Sequence, residues 1–277
     1  YIGGNTPGAG NLVSGNASAG ISVSQISYQT IGGLYNAVIQ GNVVGLNANG
    51  DAALHNSIGI GVSAAYNLIG GPAANEGNVV SGNSTGSGIV LGNTTAFQNT
   101  IVGNYIGTNP LGSVAQGNSQ GIELRTGAHD NVIGGTLPGY GNTIAGNSTG
   151  IHFASDAGSG NSLNNNVIGL SGQGNTIGVR DELLPTGVVP VIGGAGNVIA
   201  FNQIGYQGSG AFFISQATYH DNVGLAIDTD APGVTLTGTA GAAGMPIIDT
   251  VTLNADGSLT IGGLAPFAGA FISMGIT

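Results

Sequence analysis

The chain has 277 residues, of which 41% are hydrophobic and only 5% charged, with 55 glycines. Disordered chains carry far more charge, and in ordinary globules about a quarter of residues are charged. Two arginines against 12 acidic residues, a net charge of −10, exclude nucleic acid as a partner and disfavour an anionic membrane surface, because both need clustered cations.

No apolar run approaches the roughly 20 residues of a membrane-spanning helix. The absence of cysteine rules out disulfides, thiolate metal sites and thiol nucleophiles. Solubility must rest on Asn, Ser and Thr, whose side chains bond to water and to backbone turns without charge.

In chain order, the sequence opens inside a motif, Tyr1-Ile2-Gly3-Gly4, without a signal peptide, and is expected to be a piece of a longer protein. The motif Ile2-Gly3-Gly4 leads to Asn11 and Asn16, and it returns as Ile69-Gly70-Gly71 with Asn78 and Asn83, then as Ile133-Gly134-Gly135 with Asn142 and Asn147. In each copy the two asparagines follow the first Gly by 8 and 13 residues. A fourth copy, Ile192-Gly193-Gly194, reaches Asn197 and Asn202 with a shorter turn.

Interleaved with it run Asn42-Val43-Val44-Gly45, Asn104-Tyr105-Ile106-Gly107 and Asn166-Val167-Ile168-Gly169, 62 residues apart. From this second motif the chain passes to Asn56 and Asn118, each followed by a strand-like run, Gly59-Ile60-Gly61-Val62 and Gly121-Ile122-Glu123-Leu124. Three related sub-units of about 21 residues per period predict three coils of a solenoid per period.

Apolar pairs such as Ile21 with Val23 and Ile122 with Leu124 alternate with a period of two, the spacing of a strand. Gly and Asn punctuate every few residues and tolerate the left-handed conformations of tight corners. The expectation is an all-β chain: a right-handed parallel β-helix of about eleven coils over residues 1–228, a rod of roughly 50 Å at about 4.8 Å per coil. If equivalent asparagines stack, each amide can donate to the coil above and accept from the one below. The candidates for such ladders are Asn16, Asn83 and Asn147, and Asn42, Asn104 and Asn166.

The runs at 2–16 and 133–147, with Asn104-Tyr105-Ile106-Gly107-Thr108-Asn109-Pro110, resemble repeats of large secreted bacterial surface proteins with pectate-lyase-like right-handed parallel β-helices. The resemblance covers residues 1–228. It implies the fold, an extracellular or cell-surface location and, through Gly224-Leu225-Ala226-Ile227-Asp228, the end of the solenoid. It further implies that residues 229–277 form a linker and β-strand extension, either part of a β-sandwich or an assembly strand.

Candidate chemistry is sparse. A lyase needs a cation or calcium to hold a carboxylate, and only Arg125 and Arg180 are available. A hydrolase needs two facing carboxylates, whereas the neighbours Asp181 and Glu182 should point to opposite faces of a strand. Glu123 and Arg125, two apart, should share the outer face as an ion pair. His129-Asp130-Asn131 and His220-Asp221-Asn222 read as the same exposed corner before a strand. No catalytic residue and no cofactor is assigned. Calcium is the best-suited ion, with Asp228 and Asp230 at the end of the solenoid as candidate ligands.

The sequence thus favours an extracellular structural or adhesive protein, a stiff spacer or a subunit of a surface fibre, with self-association or other surface proteins as partners. The alternative is a carbohydrate-active enzyme, a polysaccharide lyase or hydrolase, or a glycan-binding module, which requires a groove lined by aromatics and carboxylates along one face.

Overall fold

The structure is a computed structural model that describes residues 1–24, 36–109, 111, 116–182, 196–208, 217–224, 227–228, 247–253 and 259–264. Among these residues every regular element is a β-strand. Three parallel sheets of six, eight and eight strands, here sheets A, B and C, run the length of the molecule. One coil visits each sheet once; Thr100–Val102 in A, Tyr105–Ile106 in B and Gln120–Arg125 in C form a representative turn. The result is a parallel β-helix.

The register follows from the inward side chains. Ile2, Ile39, Ile69, Ile101, Ile133 and Leu163 stack in sheet A. Val13, Val44, Val80, Ile106, Ile144, Ile168 and Ile199 stack in sheet B. Sheet C has longer strands and contributes two columns, one from Ile21 through Ile60, Ile89, Ile122 and Ile151 to Val179, the other from Val23 through Val62, Leu91 and Leu124 to Phe153. β-Branched residues predominate because their stiff side chains pack against identical neighbours on a pleated surface. Slipping one strand by a single residue would turn its whole apolar set outward, so the columns lock the register.

The solenoid has about seven coils, not eleven. The two sequence motifs occupy the same place on alternate coils: Asn42, Asn78, Asn104, Asn142, Asn166 and Asn197 stand in one column, at separations of 36, 26, 38, 24 and 31 residues. Two coils, one long and one short by this measure, make the 62-residue period of six strands, and the sub-unit of about 21 residues is two strands with their turns rather than a whole coil. Seven coils at about 4.8 Å give a rod of roughly 34 Å.

The alternation lies in the corners. On one coil the A-to-B corner carries a long loop, as between Gly70 and Val79, and the B-to-C corner is tight; on the next coil the B-to-C corner carries it, as between Ile106 and Gln120. Each long loop rides over the tight corner of its neighbour. Contact there is so close that a Cβ on Gly77 would lie 2.0 Å from the Gly103 carbonyl oxygen, which excludes any side chain at Gly77.

Outside the solenoid, Ile247–Leu253 pairs antiparallel with Leu259–Leu264. The remainder of 229–277, including Asp230, lies outside the described residues, as do Leu225 and Ala226 of the terminal motif.

Candidate functional site

Three asparagine ladders, one at each corner, form the most regular polar feature. The first runs from Asn11 to Asn197 through Asn42, Asn104 and Asn166. The second runs Asn16, Asn56, Asn83, Asn118, Asn147, Asn175, Asn202, Asn222. Asn16, Asn83 and Asn147 therefore share a ladder but stand two coils apart, with Asn56 and Asn118 between them. The third, which sequence reasoning missed, joins Asn67, Asn99, Asn131 and Asn161. Its spacing of 32, 32 and 30 residues is the coil length and would have revealed it.

The Asn104 rung is fully used. Asn104 donates its backbone N–H and one Nδ2 hydrogen to Asn142 Oδ1, and its other Nδ2 hydrogen to Ile69 O, while its own Oδ1 accepts from the N–H and Nδ2 of Asn78. One carboxamide thus ties three coils, and its burial (1% exposed) is tolerable because every polar atom is satisfied.

The residue before a ladder asparagine often takes the left-handed conformation that turns the corner. It does so at six non-glycine positions: Tyr66, Gln98, Asp130, Asn165, Phe201 and Asp221. This explains both His-Asp-Asn tripeptides: Asp130 and Asp221 adopt φ of 52° and 50°, and the preceding His Nδ1 lies 2.8 Å from the Asp Oδ2 in each. They share a local geometry but not a corner, since Asn131 belongs to the third ladder and Asn222 to the second. The rings pack on the coil before, His129 stacked on Phe97 and His220 edge-on to Phe201.

Charged chemistry gathers on the outer face of sheet C. Counting five residues past the ladder asparagines Asn118, Asn147, Asn175 and Asn202 gives Glu123, His152, Arg180 and Gln207, which lie in one register row. Both arginines and two of the three glutamates of the chain are here. They largely answer one another: Arg125 is 3.4 Å from Glu123, Arg180 is 2.7 Å from Glu182, and Ser87 Oγ donates to Glu123 at 2.6 Å. His152 Nε2 lies 3.3 Å from Glu182 Oε2, within ion-pair distance but out of line for a hydrogen bond. Each pair has at least one partner more than a third exposed to solvent, and such screened pairs contribute about 0–1 kcal/mol each.

Asp181 and Glu182 do point to opposite faces. Asp181 is buried in the core column above Phe153 and accepts a hydrogen bond from the Tyr206 hydroxyl at 3.1 Å. Burial, and then the neighbouring Asp181, hold the Tyr206 phenol above its ordinary range; burial alone does the same for Tyr219. Asp228 ends the strand Ile227–Asp228, whose backbone pairs with Tyr206 and Gln207. Its proposed calcium partner Asp230 lies outside the described residues. Among the described residues no three His, Asp or Glu side chains gather as metal ligands.

A different surface has the shape of a binding site. Over the outer face of sheet B, two adjoining clefts of about 590 and 400 Å³ share Gly139, Gly141 and Thr143. Their common floor is the outward row Val43, Val79, Tyr105, Thr143 and Val167, one residue per coil. One wall is formed by the long A-to-B loops, through Thr6, Pro72 and Leu137 among others. Among the described residues, none lining either cleft is charged. Sequence reasoning missed this cleft because its tyrosine does not recur: the row is fixed by register, not by identity.

No family model, no curated protein and no solved structure matches the chain.

Proposed function

We propose that the chain is an extracellular structural or adhesive element whose solenoid serves as a stiff spacer or as a unit of a surface fibre. The observation that carries this reading is the set of three ladders. Each resists separation of neighbouring coils along the axis, so stiffness is built in the direction in which a spacer is stretched. The likeness of the repeats to those of large secreted bacterial surface proteins supports the extracellular location. Force spectroscopy, pulling the first coil away from the last, tests the mechanical role: coils should come off in discrete steps, and at lower force after Asn104→Ala. Sedimentation over a wide concentration range separates the two versions, since a fibre unit grows with concentration and a spacer does not. Release of reducing sugar from any polysaccharide by the purified protein would replace this reading with an enzymatic one.

A second reading, a glycan-binding module, is favoured by one observation, the cleft along sheet B. It combines an apolar floor, a tyrosine and a wall rich in peptide groups, the mixture by which proteins hold ligands that have both apolar faces and polar edges.

A further inference from the structure

Resting on that second reading, we propose that the cleft over sheet B takes an uncharged, extended glycan laid along the helix axis, with Tyr105 as its central stacking platform.

Three observations converge on this ligand. The first is direction. The floor crosses five coils, from Val43 to Val167, and four steps of about 4.8 Å make it roughly 19 Å long. A site of that shape holds a linear polymer rather than a compact molecule, and it offers one floor side chain per step.

The second is charge. The chain carries −10 overall, yet among the described residues none that lines the cleft is ionised, and both arginines lie on sheet C. An anionic polymer would meet repulsion with no cation in the cleft to offset it. A cationic one would find no carboxylate there.

The third is the chemistry of the surfaces. Val43, Val79 and the Tyr105 ring suit the C–H faces of sugar rings, while Thr143 and the peptide groups of the wall can meet hydroxyls along their edges. A peptide is a poorer fit. A peptide adding to a sheet needs a free strand edge, and the backbone groups of sheet B are committed to neighbouring coils along the axis, so the cleft offers a face and no edge.

The test is calorimetric titration of the full chain with cellohexaose and xylohexaose as neutral probes and hexagalacturonate as the charged one. Tyr105→Ala removes the platform, and Thr143→Arg obstructs the floor. Both side chains face outward, so the fold should persist, as circular dichroism melting will show. The double variant Arg125→Ala/Arg180→Ala alters only sheet C.

The expected result is binding of a neutral probe, weakened at least about tenfold by either cleft variant and unchanged by the double variant, with no binding of hexagalacturonate. Preference for hexagalacturonate, or binding that survives both cleft variants, would overturn this assignment and leave a glycan-binding module standing at another surface. If none of the three probes binds at millimolar concentration, the glycan-binding reading falls with it. Self-association abolished by the same two variants, without saccharide binding, would make the cleft an interface between copies and likewise overturn the proposal.

Discussion

At the scale of the residue, the ladder asparagine decides most. Asn104→Ala leaves the N–H and Nδ2 of Asn78 without their acceptor and removes the donor to Ile69 O, all inside the molecule. Buried donors without partners cost about 1–3 kcal/mol each, so we expect a loss of about 3 kcal/mol in urea denaturation. Asn104→Asp keeps the shape and should be worse at neutral pH, because it buries a carboxylate where an amide donated. Desolvation would hold that carboxyl above its unfolded value, so the folded state would bind the proton more tightly and stability would recover as pH falls. A variant as stable at pH 7 as at pH 4 would show that this rung is not closed to water. These asparagines were legible in the sequence because a ladder demands one residue type at fixed spacing. The left-handed residue before many of them was not, since glycine, tyrosine, glutamine, asparagine, phenylalanine and aspartate all fill it once the ladder and core fix the backbone.

At the scale of the element, strands were easy to find and coils were not. A strand is recognised by its own alternation, whereas a coil is defined by which strands meet, and long loops placed at alternate corners disguise that. The charged row on sheet C shows the same limit: Glu123, His152 and Arg180 are neighbours only after the register is known. The last coils also depart from the aliphatic pattern. Where earlier strands place Leu124 and Phe153, the next places Asp181, joined to Tyr206. A phenol held protonated in the fold stabilises it fully below the unfolded value of 10.0 and loses that contribution as pH rises past it, because only the unfolded chain then ionises. Stability should therefore fall from about pH 10 upward, by as much as about 1.4 kcal/mol per pH unit for each such group. Tyr206→Phe should cost about 1 kcal/mol at pH 8 through the lost hydrogen bond, yet make the alkaline decline shallower. Urea titrations of both proteins between pH 8 and 11 would check this, and parallel curves would refute it.

At the scale of the whole molecule, alternation of the loops makes two coils, not one, the unit that can be removed. In a solenoid whose coils touch only their neighbours, stability is close to a sum of coil and interface terms, but here the long loops also reach the coil beyond. Long loops two coils apart are bonded directly, Gln116 Nε2 to Asp51 O and Thr108 Oγ1 to Gln173 Oε1, each at 3.0 Å across the tight corner between them. Deleting residues 43–104 removes 62 residues and joins Asn42 to Tyr105, so long and tight corners still alternate and Asn42 meets Asn142 as Asn104 did. Deleting only 79–104 removes 26 residues and sets two long loops on successive coils at both corners, where the second loop finds no tight corner to ride over. The shorter deletion should consequently be the more damaging: the 62-residue variant should melt cooperatively with the far-ultraviolet spectrum of the parent, and the 26-residue variant should melt lower or aggregate. Equal melting of the two would mean that the loops are passengers and that strand and ladder register alone define the repeat.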